Sequence, residues 1–175
     1  MKMRLFPVSA VFIHRHGERT PILNLYKNDA LKAKTMSDHW KSLLFEPRTK
    51  ALLDRLYRIE KGNLKNPDEI SAPFGCLTSK GFEQMKDLGK KIKYRLKIED
   101  TNEAIVKVYS TPYQRTQLSA QALLHGIFGE KGGVTVNVNH PNSKILNCFE
   151  TRSEEMLELV KQVISKKEFQ DEEKV

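Results

Sequence analysis

The stretch that decides the fold runs from residue 8 to residue 21 and reads V-S-A-V-F-I-H-R-H-G-E-R-T-P. Its first part, Val8 to Ile13, is a short run rich in β-branched and aromatic residues, which is typical of a strand buried in a sheet. Gly17 and Pro21 then indicate a loop with unusual backbone demands. The pattern therefore predicts a buried strand that leads directly into a polar loop at residues 14–21.

A second segment of the chain has the same arrangement of a strand followed by a polar loop. Residues 104–109, A-I-V-K-V-Y, are predicted to form the strand. Residues 111–114, T-P-Y-Q, have the spacing of a capping box. We therefore expect a helix that has Pro112 at its first position and Arg115 in its first turn.

The remaining segments continue this alternation of strands and helices. Apolar residues at steps of three and four from Phe82 to Leu96 predict a helix, with Thr78 as its N-cap. A valine-rich strand at residues 134–138 and a last helix from Ser153 follow. Strands that alternate with helices imply βαβ units, so the fold class is α/β with a mainly parallel sheet flanked by helices.

The composition fits a folded domain with an affinity for anions. Of the 175 residues, 39% are hydrophobic and 30% are charged, which excludes a disordered polyelectrolyte or a fibre. No apolar run is long enough to cross a bilayer. The net charge of +8 favours phosphate esters, acidic lipids or nucleic acid as partners, although a solvated basic surface explains it as well. No nucleic-acid motif occurs, and nothing indicates an oligomeric state.

The N-terminus and the cysteines bear on the compartment. Residues 1–13 have the basic start and apolar centre of a short signal peptide. Because removing them would remove the predicted strand, we interpret them as structure. The sequence then predicts a cytoplasmic protein as encoded but leaves the compartment open, since an exported form would need a leader that this chain lacks. Cys76 and Cys148 form neither a metal pattern nor a disulfide framework, and both two free thiols and a single bridge remain open.

The polar loop combines the side chains that phosphate chemistry needs. A neutral imidazole such as that of His16 can act as a nucleophile toward phosphorus. The guanidinium groups of Arg15 and Arg19 would favour the neutral ring and would bind phosphate oxygens in a forked geometry. Gly17 would let the backbone approach a ligand closely. A surface cluster that merely caps the strand is the alternative interpretation of the same residues.

Arg115 favours the phosphate site over that alternative. The positive end of a helix dipole disfavours a cation in the first turn, and a bound anion would resolve this conflict. In parallel sheets ligands bind beyond the carboxyl ends of the strands, so we expect Arg115 and His16 to surround the same anion. Otherwise Arg115 points outward to an acidic side chain at the surface.

Three segments, taken in order, resemble one known family. Residues 15–21 resemble the R-H-G-x-R-x-P motif of the histidine acid phosphatases. Residues 77–89, L-T-x-x-G-x-x-Q-x-x-x-L-G, are similar to the family's next helix, and residues 110–120 are similar to its second phosphate-binding segment. The spacing up to Phe128 and the strand after it are most similar to the lysophosphatidic acid phosphatase branch.

This resemblance implies a fold and a domain organisation. The fold would be the histidine phosphatase (phosphoglycerate mutase-like) fold, present incompletely because the chain resembles the N-terminal half of the family's domain. Residues 1–175 would form this partial domain, with residues 22–75 as a cap-like helical insertion. Trp40 is interpreted as packing within that cap rather than as a platform for substrate.

The resemblance also implies a reaction. His16 would be the nucleophile and would form a phosphohistidine, which water then hydrolyses. The substrate would be a phosphate monoester, with a lysophospholipid as one candidate, and neither a metal nor a cofactor would be required. The residues implied to bind the phosphate are Arg15, Gly17, Arg19 and Arg115.

The chain departs from the family in the group that protonates the leaving alcohol. Family members carry this acid in a distal His-Asp pair, and none of the five histidines here is followed by Asp. A positioned general acid is typically worth about 10² to 10⁴ in rate, so we expect impaired hydrolysis, above all of alkyl phosphates. Glu18 is a candidate substitute, although a solvent-facing Glu18 fits the sequence better. A non-catalytic phosphate-binding module and a truncated, inactive fragment are the alternatives to an enzyme.

Overall fold

The computed structural model of the chain describes residues 10–26, 28–60, 72–98, 106–138, 158–159 and 161–162. The chain divides into two compact units, Met1–His140 and Pro141–Val175. In the second unit, the described residues are helical. In the first unit, the described elements in chain order are α1 (Ala30–Ser42), α2 (Pro47–Leu56), β1 (Ile59–Glu60), α3 (Ser79–Leu96), β2 (Val108–Ser110), α4 (Gln114–Phe128) and β3 (Val136–Val138).

The described strands form one parallel sheet in the order β1-β3-β2. Val136 in the central strand pairs with Ile59 on one side and with Val108 on the other, and its side chain is fully buried. The predicted α/β class with a mainly parallel sheet is confirmed. Because β2 ends at Ser110, the segment that follows it enters α4 from the carboxyl edge of the sheet.

Helices α3 and α4 pack closely against each other through two glycines. A side chain at Gly89 would overlap the backbone of Leu123, and a side chain at Gly126 would overlap the backbone of Lys86. This close approach turns the Gly89 side of α3 toward α4. Leu88, which belongs to the predicted apolar stripe of α3, consequently remains 36% exposed.

The predicted helix over residues 82–96 is confirmed, and so is its predicted N-cap, Thr78. It spans Ser79–Leu96, and the side chain of its N-cap, Thr78, accepts a hydrogen bond from the amide of Gly81 at 3.1 Å. The cap and the periodicity are both local signals, which explains why the sequence suffices to predict this element.

The prediction of a buried strand over residues 8–13 is wrong for residues 10–13. These four residues are in no strand, and Val11 and Ile13 are 87% and 93% exposed. None of the strands that the structure describes hydrogen-bonds to this segment. A strand is stable only when neighbours pair with its backbone and cover its side chains. Residues 8 and 9 lie outside the described residues.

The predicted capping box at residues 111–114 is wrong as well. Helix α4 begins at Gln114, and its N-cap, Tyr113, makes no side-chain capping bond. The hydroxyl group of Thr111 instead shares a 2.7 Å hydrogen bond with the hydroxyl group of Thr116. Arg115 nevertheless lies in the first turn, as predicted. Most of the helix predicted from Ser153 lies outside the described residues.

The predicted cap-like insertion, residues 22–75, contains α1 and α2, and it also contributes β1 to the sheet. Its assignment as a cap stays a prediction.

Candidate active site

The loop at residues 15–19 is fixed to the beginnings of α3 and α4 by hydrogen bonds. The amide of Gly17 donates to Ser119 Oγ at 3.1 Å, and that hydroxyl group donates to the carbonyl oxygen of Arg115 at 2.6 Å. The amide of Glu18 donates to Gln84 Oε1 at 2.9 Å. The loop after the first predicted strand and the helix after β2 are therefore joined directly.

Two glycines allow this loop to lie against α3. A side chain at Gly17 would overlap the backbone of Gly81, and a side chain at Gly81 would overlap the backbone of Glu18. Both glycines belong to the motifs that carry the family resemblance. Their lack of a Cβ atom lets the two backbones touch.

An open cleft of about 530 Å³ lies over the loop. Its volume is in the range of sites that bind small molecules. Cationic and imidazole groups line it together with the apolar rings of Trp40 and Pro21. The full set of lining residues is Arg15, His16, Gly17, Glu18, Arg19, Pro21, Trp40 and Gln84.

The ring of His16 is held in one tautomer. Its Nδ1 atom lies 2.7 Å from the carbonyl oxygen of Gly17. Because a carbonyl oxygen can only accept, Nδ1 carries the hydrogen and Nε2 carries the lone pair. This is the state that a nucleophilic imidazole requires.

The surroundings of His16 also keep its ring neutral. Burial lowers the pKa of His16, and the positive charges of Arg115, Arg19 and Arg15 lower it further, against the opposing effect of the bond to Gly17. Burial and the three positive charges each disfavour the imidazolium form, and together they outweigh the bond to Gly17. The free nitrogen therefore stays available to lower pH than in an ordinary histidine.

Arg115 is a partly buried cation that lies near other positive charges. Burial and the charge of Arg19 are the main causes that lower its pKa, and its guanidinium group lies 4.3 Å from the centre of the Tyr113 ring. Its Nε atom is buried and has no hydrogen-bond partner among the residues that the structure describes. In the part of the chain that the structure describes, no carboxylate pairs with Arg15, Arg19 or Arg115. An oxyanion among these groups would relieve their mutual repulsion.

The structure brings most of the predicted site residues to one place. Arg15, His16, Gly17 and Arg19 line the cleft. Arg115 does not line it, but its charge acts on His16 from the first turn of α4. The catalytic and binding roles of these five residues stay predictions.

Glu18 is engaged in a way that opposes a role as general acid. Its carboxylate accepts from Lys80 Nζ at 2.7 Å and from the hydroxyl group of Thr78 at 3.2 Å. The bond to Lys80 is the main cause that lowers the pKa of Glu18. The carboxylate is therefore ionised and accepts hydrogen bonds rather than supplying a proton.

Among the lining residues outside the motif at residues 15–21, neither Gln84 nor Trp40 is a site residue that the sequence predicts. Gln84 holds the amide of Glu18, and its place in the second motif could have indicated this. Trp40 lies in α1, and sequence reasoning assigned it to packing within the cap. No local pattern indicates Trp40, because its position over the loop depends on how α1 folds back.

Two further structural features bear on cofactors and membranes. Among the described residues, no three His, Cys, Asp or Glu side chains are grouped so that they could hold a metal ion. Cys76 is a buried free thiol, and Cys148 lies outside the described residues. No helix in the described ranges is both long enough and apolar enough to span a bilayer.

Comparison with known proteins identifies a family that covers all the segments of this site. The family model for the histidine phosphatase superfamily (branch 2) matches residues 8–169. No curated protein matches the chain. The matched range contains the loop with His16, the helix that begins at Ser79 and the first turn of α4 with Arg115.

Proposed function

Because the chain belongs to the histidine phosphatase superfamily, branch 2, we propose that it is an acid phosphatase that hydrolyses phosphate monoesters through a phosphohistidine on His16. One observation carries this proposal. Three guanidinium groups without a carboxylate partner among the described residues act on one imidazole, whose Nδ1 is tied to the carbonyl oxygen of Gly17.

In the first step, Nε2 of His16 attacks phosphorus. The new N–P bond forms as the P–O bond to the leaving group breaks, and the electron pair stays on the departing oxygen. Arg15, Arg19 and Arg115 bind the phosphoryl oxygens and stabilise the charge that develops on them. Donors aimed at developing charge are each typically worth about 10² to 10³ in rate.

In the second step, water attacks the phosphohistidine. A new P–O bond forms as the N–P bond breaks, the electron pair of the broken bond returns to Nε2, and the oxygen and protons of the water leave with inorganic phosphate. The hydrogen bond from Nδ1 to Gly17 holds the ring in the same tautomer in both steps. The imidazole thus needs no rotation between them.

The leaving group sets the rate of the first step. Glu18 is held ionised by Lys80 and supplies no proton, and an alkoxide that departs without a proton leaves more slowly than an aryl oxide. Alkyl phosphates are therefore hydrolysed slowly. Lysophospholipids, which the resemblance to the lysophosphatidic acid phosphatase branch suggests, belong to this slow class.

The test is turnover of 4-nitrophenyl phosphate by the purified full chain. We expect hydrolysis that His16→Ala abolishes and His14→Ala leaves intact, since His14 is exposed and donates only to the carbonyl of its neighbour Arg15. Mass spectrometry of enzyme quenched in alkali should show phosphate on the peptide that contains His16. Activity that survives His16→Ala would refute the proposal.

A non-catalytic phosphate-binding module is the second candidate, and the ionised state of Glu18 favours it. Titration with inorganic phosphate and with vanadate separates the two. Saturable binding with no turnover of any ester supports the module.

A further inference from the structure

Trp40 occupies a position at the cleft that the phosphate chemistry does not explain. It lies in the last turn of α1, more than twenty residues from the loop, yet it lines the same cleft as His16 and Arg19. Trp40 and Pro21 supply the apolar ring surface of that cleft, whereas the loop supplies its charges. A phosphate ion has no apolar group that could pack against that surface.

The indole ring of Trp40 carries one polar group that the described residues leave unsatisfied. Its Nε1 atom is buried, and no residue in the described part of the chain forms a hydrogen bond with it. A buried indole N–H usually finds a partner, and leaving it unpaired costs free energy. Its ring neighbour is His39, which meets it edge-on at 4.9 Å and 65°. Among the described residues, no aromatic ring therefore stacks in parallel on the indole ring, and the side chain is half-buried.

The carboxylate of Glu18, which lies beside His16 in the loop, gives no proton to a leaving group. Lys80 and Thr78 both donate hydrogen bonds to it, which stabilises its ionised form. An aryl oxide is stable enough to depart without a proton, whereas an alkoxide is not. A leaving group that is both aromatic and apolar satisfies this limit and also covers the ring surface of Trp40.

We propose that Trp40 is a specificity-determining residue that packs against the leaving group of the substrate and selects aryl phosphates over alkyl phosphates. This role rests on the proposed phosphatase function. The reacting atoms are those already described: Nε2 of His16 bonds to phosphorus, and the aryl oxide carries away the electron pair of the broken P–O bond. Trp40 takes no part in that exchange of bonds.

The first test measures binding without turnover. Phenylphosphonate, methylphosphonate and inorganic phosphate are titrated by calorimetry into the wild type, Trp40→Leu and Trp40→Phe. Stacking between aromatic rings, together with the burial of the ring, predicts roughly tenfold weaker binding of phenylphosphonate by Trp40→Leu. Binding of methylphosphonate and phosphate should be unchanged, and Trp40→Phe should restore most of the loss.

A matched control variant is Tyr94→Leu. It removes an aromatic ring that is 85% exposed on α3 and absent from the lining of the cleft. It should leave the affinity for all three probes unchanged. Thermal melting identifies a variant that fails to fold, and Trp40→Phe, which keeps an aromatic ring, tests the proposal even if Trp40→Leu does not fold.

The second test measures turnover. The ratio of kcat/KM for 4-nitrophenyl phosphate to that for glycerol 1-phosphate should fall about tenfold in Trp40→Leu. Equal weakening of phenylphosphonate and methylphosphonate binding would overturn the proposal. A preference for lysophosphatidic acid that depends equally on Trp40 would also overturn it, because an acyl chain would then cover the ring. Selective phenylphosphonate binding without any turnover would refute the phosphatase function and leave Trp40 as the residue that selects the organic group.

Discussion

Replacing Ser119 by alanine tests whether α4 holds the loop that carries His16. Ser119 is fully buried, and its hydroxyl group accepts from the amide of Gly17 at 3.1 Å and donates to the carbonyl oxygen of Arg115 at 2.6 Å. In Ser119→Ala the Gly17 amide is left buried without its partner. The carbonyl oxygen of Arg115 loses less, because at that position in a helix a backbone amide also donates a hydrogen bond to it.

The cost follows from the orphaned amide. An unsatisfied buried donor costs about 1 to 3 kcal/mol. For a chain of this size that corresponds to a fall of about 2 to 12 °C in Tm. A misplacement of the nucleophile by 1 Å can cost about 10²-fold in rate, so we also expect kcat for 4-nitrophenyl phosphate to fall by at least about tenfold.

The assay compares Ser119→Ala with Ser42→Ala in urea unfolding and in turnover. Ser42 is a suitable control because its hydroxyl group also donates to a helix carbonyl, that of His39, but is exposed. Its loss should change the free energy of unfolding by no more than about 0.5 kcal/mol. If both variants have the same stability and the same kcat, the link from α4 through Ser119 to the loop does not position His16.

Three further predictions concern charge and packing around the loop. Arg115→Met removes the charge that lowers the pKa of His16 more than any other charge does. The pKa of His16, followed by NMR of the ring protons, should therefore rise, and the pH below which turnover is lost should rise with it. Arg58 is exposed and lies outside the cleft, so Arg58→Met should leave both quantities unchanged. Lys80→Met removes the main cause that lowers the pKa of Glu18, so the carboxyl resonance of Glu18 should titrate at higher pH. Lys90 pairs with Asp87 instead, so Lys90→Met should leave the titration of Glu18 unchanged. Gly17→Ala places a methyl group against the backbone of Gly81, and overpacking of this kind costs about 1 to 3 kcal/mol in urea unfolding; unfolding identical to the wild type would contradict the contact.

The sequence predicts those parts of the fold that depend on local signals. Helix α3 could be predicted with its N-cap, because the hydroxyl group of Thr78 and the apolar periodicity act within a few residues. The helix start at Pro112 could not, since Thr111 bonds to Thr116 once the turn has formed. The segment at residues 10–13 has the composition of a strand, but its pairing depends on neighbours that its own residues do not specify.

The candidate site shows the same division. Arg15, His16 and Arg19 could be recognised because they are adjacent in one motif with one chemical purpose. Trp40 could not, since it reaches the cleft through the tertiary arrangement of α1. The ion pair between Glu18 and Lys80 could not be predicted either, because the two side chains come together only when the loop lies on α3.

The central claim is that His16 and three arginines from two separate segments surround one oxyanion. A crystal structure of the full chain with vanadate, which mimics the phosphoryl group in transfer, tests this directly. We expect vanadium bonded to Nε2 of His16, with Arg15, Arg19 and Arg115 all donating hydrogen bonds to its oxygens. Vanadate bound away from His16, or bound there with Arg115 turned toward solvent, would contradict it.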